Sequence, residues 1–169
     1  NEVIDAAIAY LKGEEFELYP DFPTGGYIDV SRYRDGAMGS RVKLRAKISK
    51  VDNRTLCISE IPYGMTTDKL IESILKANDK GKIQIKKVDD NTAAQVEILV
   101  HLPAGRSTDK TIDALYAFTG CELSIAPNCC VIYQEKPHFL SVSDVLKFST
   151  DNTLRLLKEE LLIQKAELQ

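Results

Sequence analysis

Four basic residues, Arg41, Lys43, Arg45 and Lys47, recur at every second position, with Val42, Leu44, Ala46 and Ile48 between them. Alternation of this kind puts each set on its own face of a strand, so it predicts a half-buried strand over 41–50 whose wet face is entirely cationic. A row of fixed positive charges suits the phosphates of a nucleic-acid backbone. Upstream, Pro20-Asp21-Phe22-Pro23-Thr24-Gly25-Gly26 joins two prolines that fix φ to a glycine pair that permits sharp turns. Other chemistries find less support. Cys57, Cys121, Cys129 and Cys130 show no C-x-x-C spacing and read as reduced thiols, not as a disulfide framework or a zinc site. His101 and His138 stand apart from any nucleophile–acid pair, and neither a phosphate-binding glycine loop nor a paired-carboxylate motif is present. A small-molecule enzyme is therefore disfavoured.

The elements that must position these residues follow from periodicity. Residues 1–12 predict an amphipathic helix with Ile4, Ala7, Ile8 and Leu11 on one face, capped by Asn1 and stopped by Gly13. The cationic strand turns at Asp52-Asn53 into a second strand over 54–60, giving a hairpin. Thr66 or Thr67 caps a helix that ends near Gly81 and turns Leu70, Ile71, Ile74 and Leu75 inward. Strands over 82–88 and 95–101 flank a turn at Asp89-Asp90-Asn91, and Ser107 or Thr108 starts a helix with Ile112, Leu115, Tyr116 and Phe118, closed by Gly120. Short strands near 121–125 and 129–134 complete the order. The sequence predicts an α+β fold, a mostly antiparallel sheet with helices packed on it. From Ser141 a helix runs to the end, with Leu154, Leu157, Leu161 and Leu168 on a 3-4 spacing and Gln164 in the seam. It either folds back on the core or starts a coiled-coil arm.

Composition bounds the rest. The 169 residues carry 22 Lys+Arg against 25 Asp+Glu, and a net charge of −3 argues against a generic polyanion binder. The average hides an asymmetry: between Ser31 and Lys50, seven basic residues, among them Arg32 and Arg34, face one acid, Asp35. With 44% hydrophobic and 28% charged residues the chain is globular, about one domain with an appendage. No apolar run approaches the roughly 18 residues of a membrane span, so no membrane partner is expected. Asn1-Glu2-Val3-Ile4-Asp5 is neither a secretory signal nor a Met start, and the C-terminus stops within a helical pattern; we expect an excised piece of a longer cytoplasmic protein. On residues alone, the leading class beside nucleic-acid binding is a non-catalytic α+β protein-interaction domain with a helical dimerisation arm.

One loop changes the balance. Pro20-Asp21-Phe22-Pro23-Thr24-Gly25-Gly26-Tyr27-Ile28 resembles a signature of the A subunit of bacterial type IIA DNA topoisomerases, gyrase and topoisomerase IV. Val42-Lys43-Leu44-Arg45-Ala46-Lys47, Glu60-Ile61-Pro62-Tyr63 and Asp68-Lys69-Leu70-Ile71-Glu72-Ser73-Ile74 agree in order, and Gly64-Met65-Thr66-Thr67 looks more like the topoisomerase IV branch. Residues 29–40 depart from the pattern: Asp29-Val30-Ser31 stands where a glycine often follows the isoleucine, and the stretch to Gly39 looks shortened.

The resemblance implies a segment of an ATP-dependent, DNA-cleaving isomerase. Residues 1–28 would be helix and loop from the end of the DNA-gate region, 29–140 the tower (shoulder) domain, and 141–169 the start of the coiled-coil arm. The nucleophilic tyrosine lies upstream in such proteins, in a winged-helix domain, so no catalytic residue is expected in this segment and it should be inactive alone. Arg32-Tyr33 resembles the nucleophile's neighbourhood only in its arginine, and Tyr33 is rejected as catalytic. The implied DNA-binding residues are Arg41, Lys43, Arg45 and Lys47 on phosphates and Ile28 as a wedge that opens a base step from the loop tip. No metal or cofactor is expected here, since magnesium and ATP belong to the partner subunit. Implied partners are double-stranded DNA, the topoisomerase B subunit, and a second copy of the parent chain in a heterotetramer, cytoplasmic and chromosome-associated.

Overall fold

In the computed structural model, which describes residues 1–168, Glu2–Lys12 forms helix α1 and Tyr27–Asp29 a short strand, β1. The alternating stretch then yields two strands, β2 (Val42–Arg45) and β3 (Lys47–Asp52), where one was expected. The break falls at Ala46, which is fully buried. Its N–H donates to the Cys121 carbonyl at 2.8 Å and its own carbonyl accepts from the Tyr116 hydroxyl at 2.8 Å. Both polar groups of that residue are thus satisfied outside the ladder, which lets the chain leave one sheet and enter another. There follow β4 (Thr55–Glu60), α2 (Thr67–Asp79), β5 (Lys87–Asp90), β6 (Ile98–His101), α3 (Thr108–Phe118), β7 (Glu122–Ile125), β8 (Cys130–Tyr133), β9 (Lys136–Phe139) and α4 (Val142–Glu167). The class is α+β with antiparallel sheets, as the sequence predicts.

These elements sort into two compact units. The first comprises Asp21–Ser31 and Val42–Ile125 and holds two antiparallel sheets, ordered β1-β2-β7 and β3-β4-β6-β5. In the larger sheet Leu56 pairs with Val100 and Ile58 with Ile98, which puts all four on one face. That face closes on Leu70 and Ile74 of α2 and Leu115 of α3, every one fully buried. Thr66 and Ser107 cap the two helices, accepting from the N–H groups of Lys69 and Lys110.

Several local expectations shift. Leu75 and Phe118 are exposed, and Ala77 and Thr111 fill the inward positions instead. The strand expected over 82–88 starts only at Lys87, because Lys82 and Ile85 donate backward to the Ala77 carbonyl and the Asn78 side chain, holding the segment against the end of α2. Asp89 and Asp90 consequently lie in β5, and the turn moves to the residues before Glu97.

The second unit is assembled from Asn1–Pro20, Arg32–Arg41 and the chain from Ala126 onward. Here α1 packs against the first half of α4, with the Tyr10 hydroxyl donating to Asp151 Oδ2 at 3.0 Å. Only Ala6 of α1 is buried; Ile4, Ile8 and Leu11 share a face that stays exposed. The strands β8 and β9 form a hairpin whose Gln134 and Glu135 both take positive φ (49° and 62°), the turn that matches strand twist. Ser141 caps α4, accepting from the Asp144 N–H at 3.1 Å. From Asp151 to Leu168 every residue is exposed, Leu154, Leu157, Leu161 and Leu168 included, so α4 does not fold back on its own unit. The last position of the expected arm, Gln169, lies outside the described residues.

The Ala46 joint makes a direct prediction. Replacing Tyr116 with Phe removes one donor from a buried carbonyl, which costs about 1–3 kcal/mol. Urea unfolding should show that loss with an unchanged m-value; no loss would mean the carbonyl finds another donor.

Candidate nucleic-acid interface

Strand β2 is the centre of its sheet, and its register sorts the candidate residues by face. Opposite it on β1, Tyr27 pairs with Arg45, Ile28 with Leu44 and Asp29 with Lys43; on β7, Ser124 pairs with Lys43, Leu123 with Leu44 and Glu122 with Arg45. Successive side chains alternate, so one face carries Tyr27, Asp29, Lys43, Arg45, Glu122 and Ser124. The other carries Ile28, Leu44 and Leu123. Beyond Ala46 the cationic side continues into β3 with Lys47, which pairs with Glu60 at the end of β4.

The cations are not alone on that face. Glu122 reaches both of its neighbours, Oε1 lying 3.3 Å from Lys43 Nζ and Oε2 accepting from Arg45 Nε at 2.6 Å. The Arg45 guanidinium also lies over the Tyr116 ring, 5.0 Å from its centroid. Lys47 Nζ is 3.3 Å from Glu60 Oε1; Lys50, paired with Leu56, lies on the opposite, helix-facing side, its Nζ 2.5 Å from Asp109 Oδ1 on the first turn of α3. With Asp29 across from Lys43, the face holds as many carboxylates as cations, and the expectation of an entirely cationic surface is corrected. Within the ion pairs the cations are the more exposed partners, while Asp29 is itself exposed. The Lys43, Arg45 and Lys47 side chains are 45%, 46% and 48% exposed, against 20% for Glu122 and 36% for Glu60.

Glu60 also explains the glycine pair. Its second carboxylate oxygen accepts from the Gly26 N–H, and a Cβ on Gly25 would collide with that same carboxylate. A Cβ on Gly26, whose φ is +101°, would lie 2.5 Å from the Arg45 carbonyl oxygen. Phe22 stacks on Tyr63 with ring centroids 5.2 Å apart. The loop 20–28, the strand 42–47 and the segment 60–63, scattered along the sequence, therefore meet at one place.

Two sequence assignments fare differently. Arg41 is exposed but belongs to the Arg32–Arg41 segment of the other unit, outside β2. Ile28 is not at a loop tip: it is the middle residue of β1, 38% exposed, on the face of Leu44 and opposite that of Lys43 and Arg45. Alternation within the strand forces that separation.

The remaining titratable groups form no second centre. His101 is less isolated than the sequence suggests, with Nε2 3.1 Å from Asp89 Oδ2 and Nδ1 3.4 Å from Thr55 Oγ1. These are ladder neighbours, and Thr55 is buried. Burial, then Asp35, raises the Tyr33 phenol, the reverse of what activates a nucleophile. The four cysteines are free, and burial pushes Cys121 up to about 11. Among the described residues no His/Cys/Asp/Glu group is arranged to hold a metal ion.

The carboxylates set a pH dependence. The Gly26 N–H, then Lys47, holds Glu60 below its ordinary value. Burial pushes Glu122 up, but Arg45 and Lys43 outweigh it, so the net shift is also downward. A carboxylate lowered in the folded state stabilises above its unfolded value, about pH 4.5, and loses that contribution as pH falls through the folded one. The thermal midpoint should therefore be flat from pH 7 to about 5 and fall below that, with a smaller fall in a Glu60→Gln, Glu122→Gln double variant.

Comparison with known proteins identifies the family. The family described as the A subunit of DNA gyrase/topoisomerase IV matches residues 1–169. The chain is 39% identical over 168 residues to the A subunit of DNA topoisomerase 4 from Borreliella burgdorferi, covering 99% of this chain and 26% of that protein. It is 29% identical over 144 residues to the DNA gyrase A subunit of Lawsonia intracellularis (79% of this chain, 17% of the relative). The DNA gyrase A subunit of Brachyspira hyodysenteriae gives 24% over 176 residues (92% and 21%). The chain thus spans about a quarter or less of the length of these relatives. Matched from end to end, with its three diagnostic segments converging on one sheet face, the chain belongs to the family of DNA gyrase and topoisomerase IV A subunits.

Proposed function

We propose that this chain is a tower segment of the A subunit of a type IIA DNA topoisomerase, of the topoisomerase IV kind, and that its β2–β3 face lies along the backbone of a DNA duplex. The observation that carries the reading is the exposure of the cations: the Lys43, Arg45 and Lys47 side chains stand nearly half exposed, each more so than its partner, Glu122 or Glu60. Alternate positions of a strand are about 6.8 Å apart, a spacing commensurate with successive phosphates on one DNA strand. Lys43 and Arg45 can thus address neighbouring phosphates. Such contacts position a duplex without reading its sequence. Arg45 is the best placed of the three, because its Nε is held by Glu122 and its plane by Tyr116, leaving the outer nitrogens as donors.

In this reading the segment does no covalent chemistry. Strand cleavage by a tyrosine, magnesium and ATP belong to other parts of the assembly, which would pair the parent chain with a second copy of itself and with a B subunit in the bacterial cytoplasm, on the chromosome. Among the described residues no helix is long and apolar enough to cross a membrane. Ile28 is exposed on the opposite sheet face, so a wedge there would act on DNA beyond the stretch resting on Lys43 and Arg45. The exposed leucines of α4 favour a protein contact made by the arm, which is compatible with DNA binding by the sheet.

The salt dependence of duplex binding by the full-length protein tests the proposal. Each lost phosphate contact lowers the slope of log affinity against log salt by about 0.9, so a Lys43→Gln, Arg45→Gln, Lys47→Gln triple variant should lose up to about 2.7. An unchanged slope would assign the face to solvent. In the same full-length protein Ile28→Ala should reduce DNA bending, read by fluorescence transfer between duplex ends, while the variant stays folded; unchanged bending would remove the wedge.

A further inference from the structure

Two exposed cations of the face share one carboxylate, and that sharing has a functional meaning. Glu122 holds Lys43 with one oxygen and Arg45 with the other, at 3.3 and 2.6 Å, the fork that a phosphate would also offer to two cations. Its side chain is 20% exposed while theirs are 45% and 46%, so it sits beneath them and stays in place when a polyanion arrives. We propose that Glu122 is an internal phosphate mimic that restrains DNA binding: it occupies Lys43 and Arg45 in the free protein and opposes the phosphate that takes them over. The inference rests on the duplex-binding reading of this face.

Three consequences follow from the charge arrangement. A cation already neutralised by a fixed carboxylate carries fewer condensed counterions of the duplex away on binding than a bare one, which flattens the salt dependence. The carboxylate is held by the fold, so its effective concentration beside Lys43 and Arg45 is high, and a simple monovalent anion competes poorly with it. A duplex backbone competes well, because it engages several cations at once. Glu122 therefore sets both the strength of the contact and its preference for a dense array of phosphates.

The experiment measures anisotropy of a labelled duplex with the full-length protein over a series of salt concentrations. Glu122→Gln keeps an acceptor for Arg45 and removes only the charge. It should bind about three- to tenfold more tightly near 0.1 M salt, with a steeper salt slope. Glu72→Gln is the control, since Glu72 makes an exposed pair of the same kind with Lys76 on α2, at 2.6 Å, away from β2 and β7. It should change affinity less than about twofold, by the effect of one net charge at a distance. Equal tightening by both variants, or none by Glu122→Gln, would overturn the inference. Failure of the underlying reading shows separately: a Lys43→Gln, Arg45→Gln variant that binds as the wild type removes the face from DNA altogether. Weakened binding by that variant beside an unchanged Glu122→Gln removes only the restraint.

Discussion

The buried backbone of Ala46 is the constraint on which the rest of the first unit depends. A strand that passes from one sheet to the next must abandon its ladder at the crossing, and in a dry interior each unpaired N–H or C=O there costs about 1–3 kcal/mol. Cys121 and Tyr116 supply the missing partners, one from the residue before β7 and the other from α3. The joint therefore works only if both elements are docked. Because a single residue makes the crossing, the inside–outside alternation survives it, and Lys47 stays on the side set by Lys43 and Arg45. The carbonyl of Arg45, just before the joint, is also the surface against which Gly26 lies, so the loop that brings Phe22 to Tyr63 is fixed from the same point.

Much of this was legible in the sequence because it is local. Thr66 and Ser107 are recognisable caps and do cap, whereas Asn1, expected to cap α1, makes no side-chain cap hydrogen bond. The alternation of Val42, Lys43, Leu44 and Arg45 has the period of a half-buried strand and becomes one. What could not be read is mostly non-local. Glu122 is 77 residues from Arg45, and no spacing rule announces that it will sit across from it. Ile28 reads as a loop residue because a strand of three residues is too short to show a period, and its side of the sheet is decided by pairing with Leu44. The β8–β9 turn was hidden for a different reason: Gln134-Glu135 adopts a conformation usually advertised by glycine or asparagine.

The charge of the face shows how counting along a chain can mislead. The stretch from Ser31 to Lys50 is strongly basic in sequence, but on the sheet its cations Lys43, Arg45 and Lys47 are matched by Asp29, Glu60 and Glu122, which enter from flanking strands. Neutrality of this kind does not abolish a binding surface. Lys43, Arg45 and Lys47 are more exposed than the Glu122 and Glu60 carboxylates they pair with, so a large anion can reach them. Hydrogen bonding of Arg45 to a carboxylate and its packing on Tyr116 also limit the side-chain freedom that binding would otherwise have to freeze.

The discontinuous make-up of the second unit bears on the order in which the molecule is made. Its three segments are separated by the stretches that build the first unit, so α1 leaves the ribosome well before the α4 residues it packs against. The first unit closes sooner: the β3–β4 hairpin needs a handful of residues, and the pairing of β2 with β7 is complete once Ile125 has emerged. Nascent chain between those two moments carries a finished sheet pair and an α1 whose contact with α4, the Tyr10–Asp151 hydrogen bond included, has yet to form.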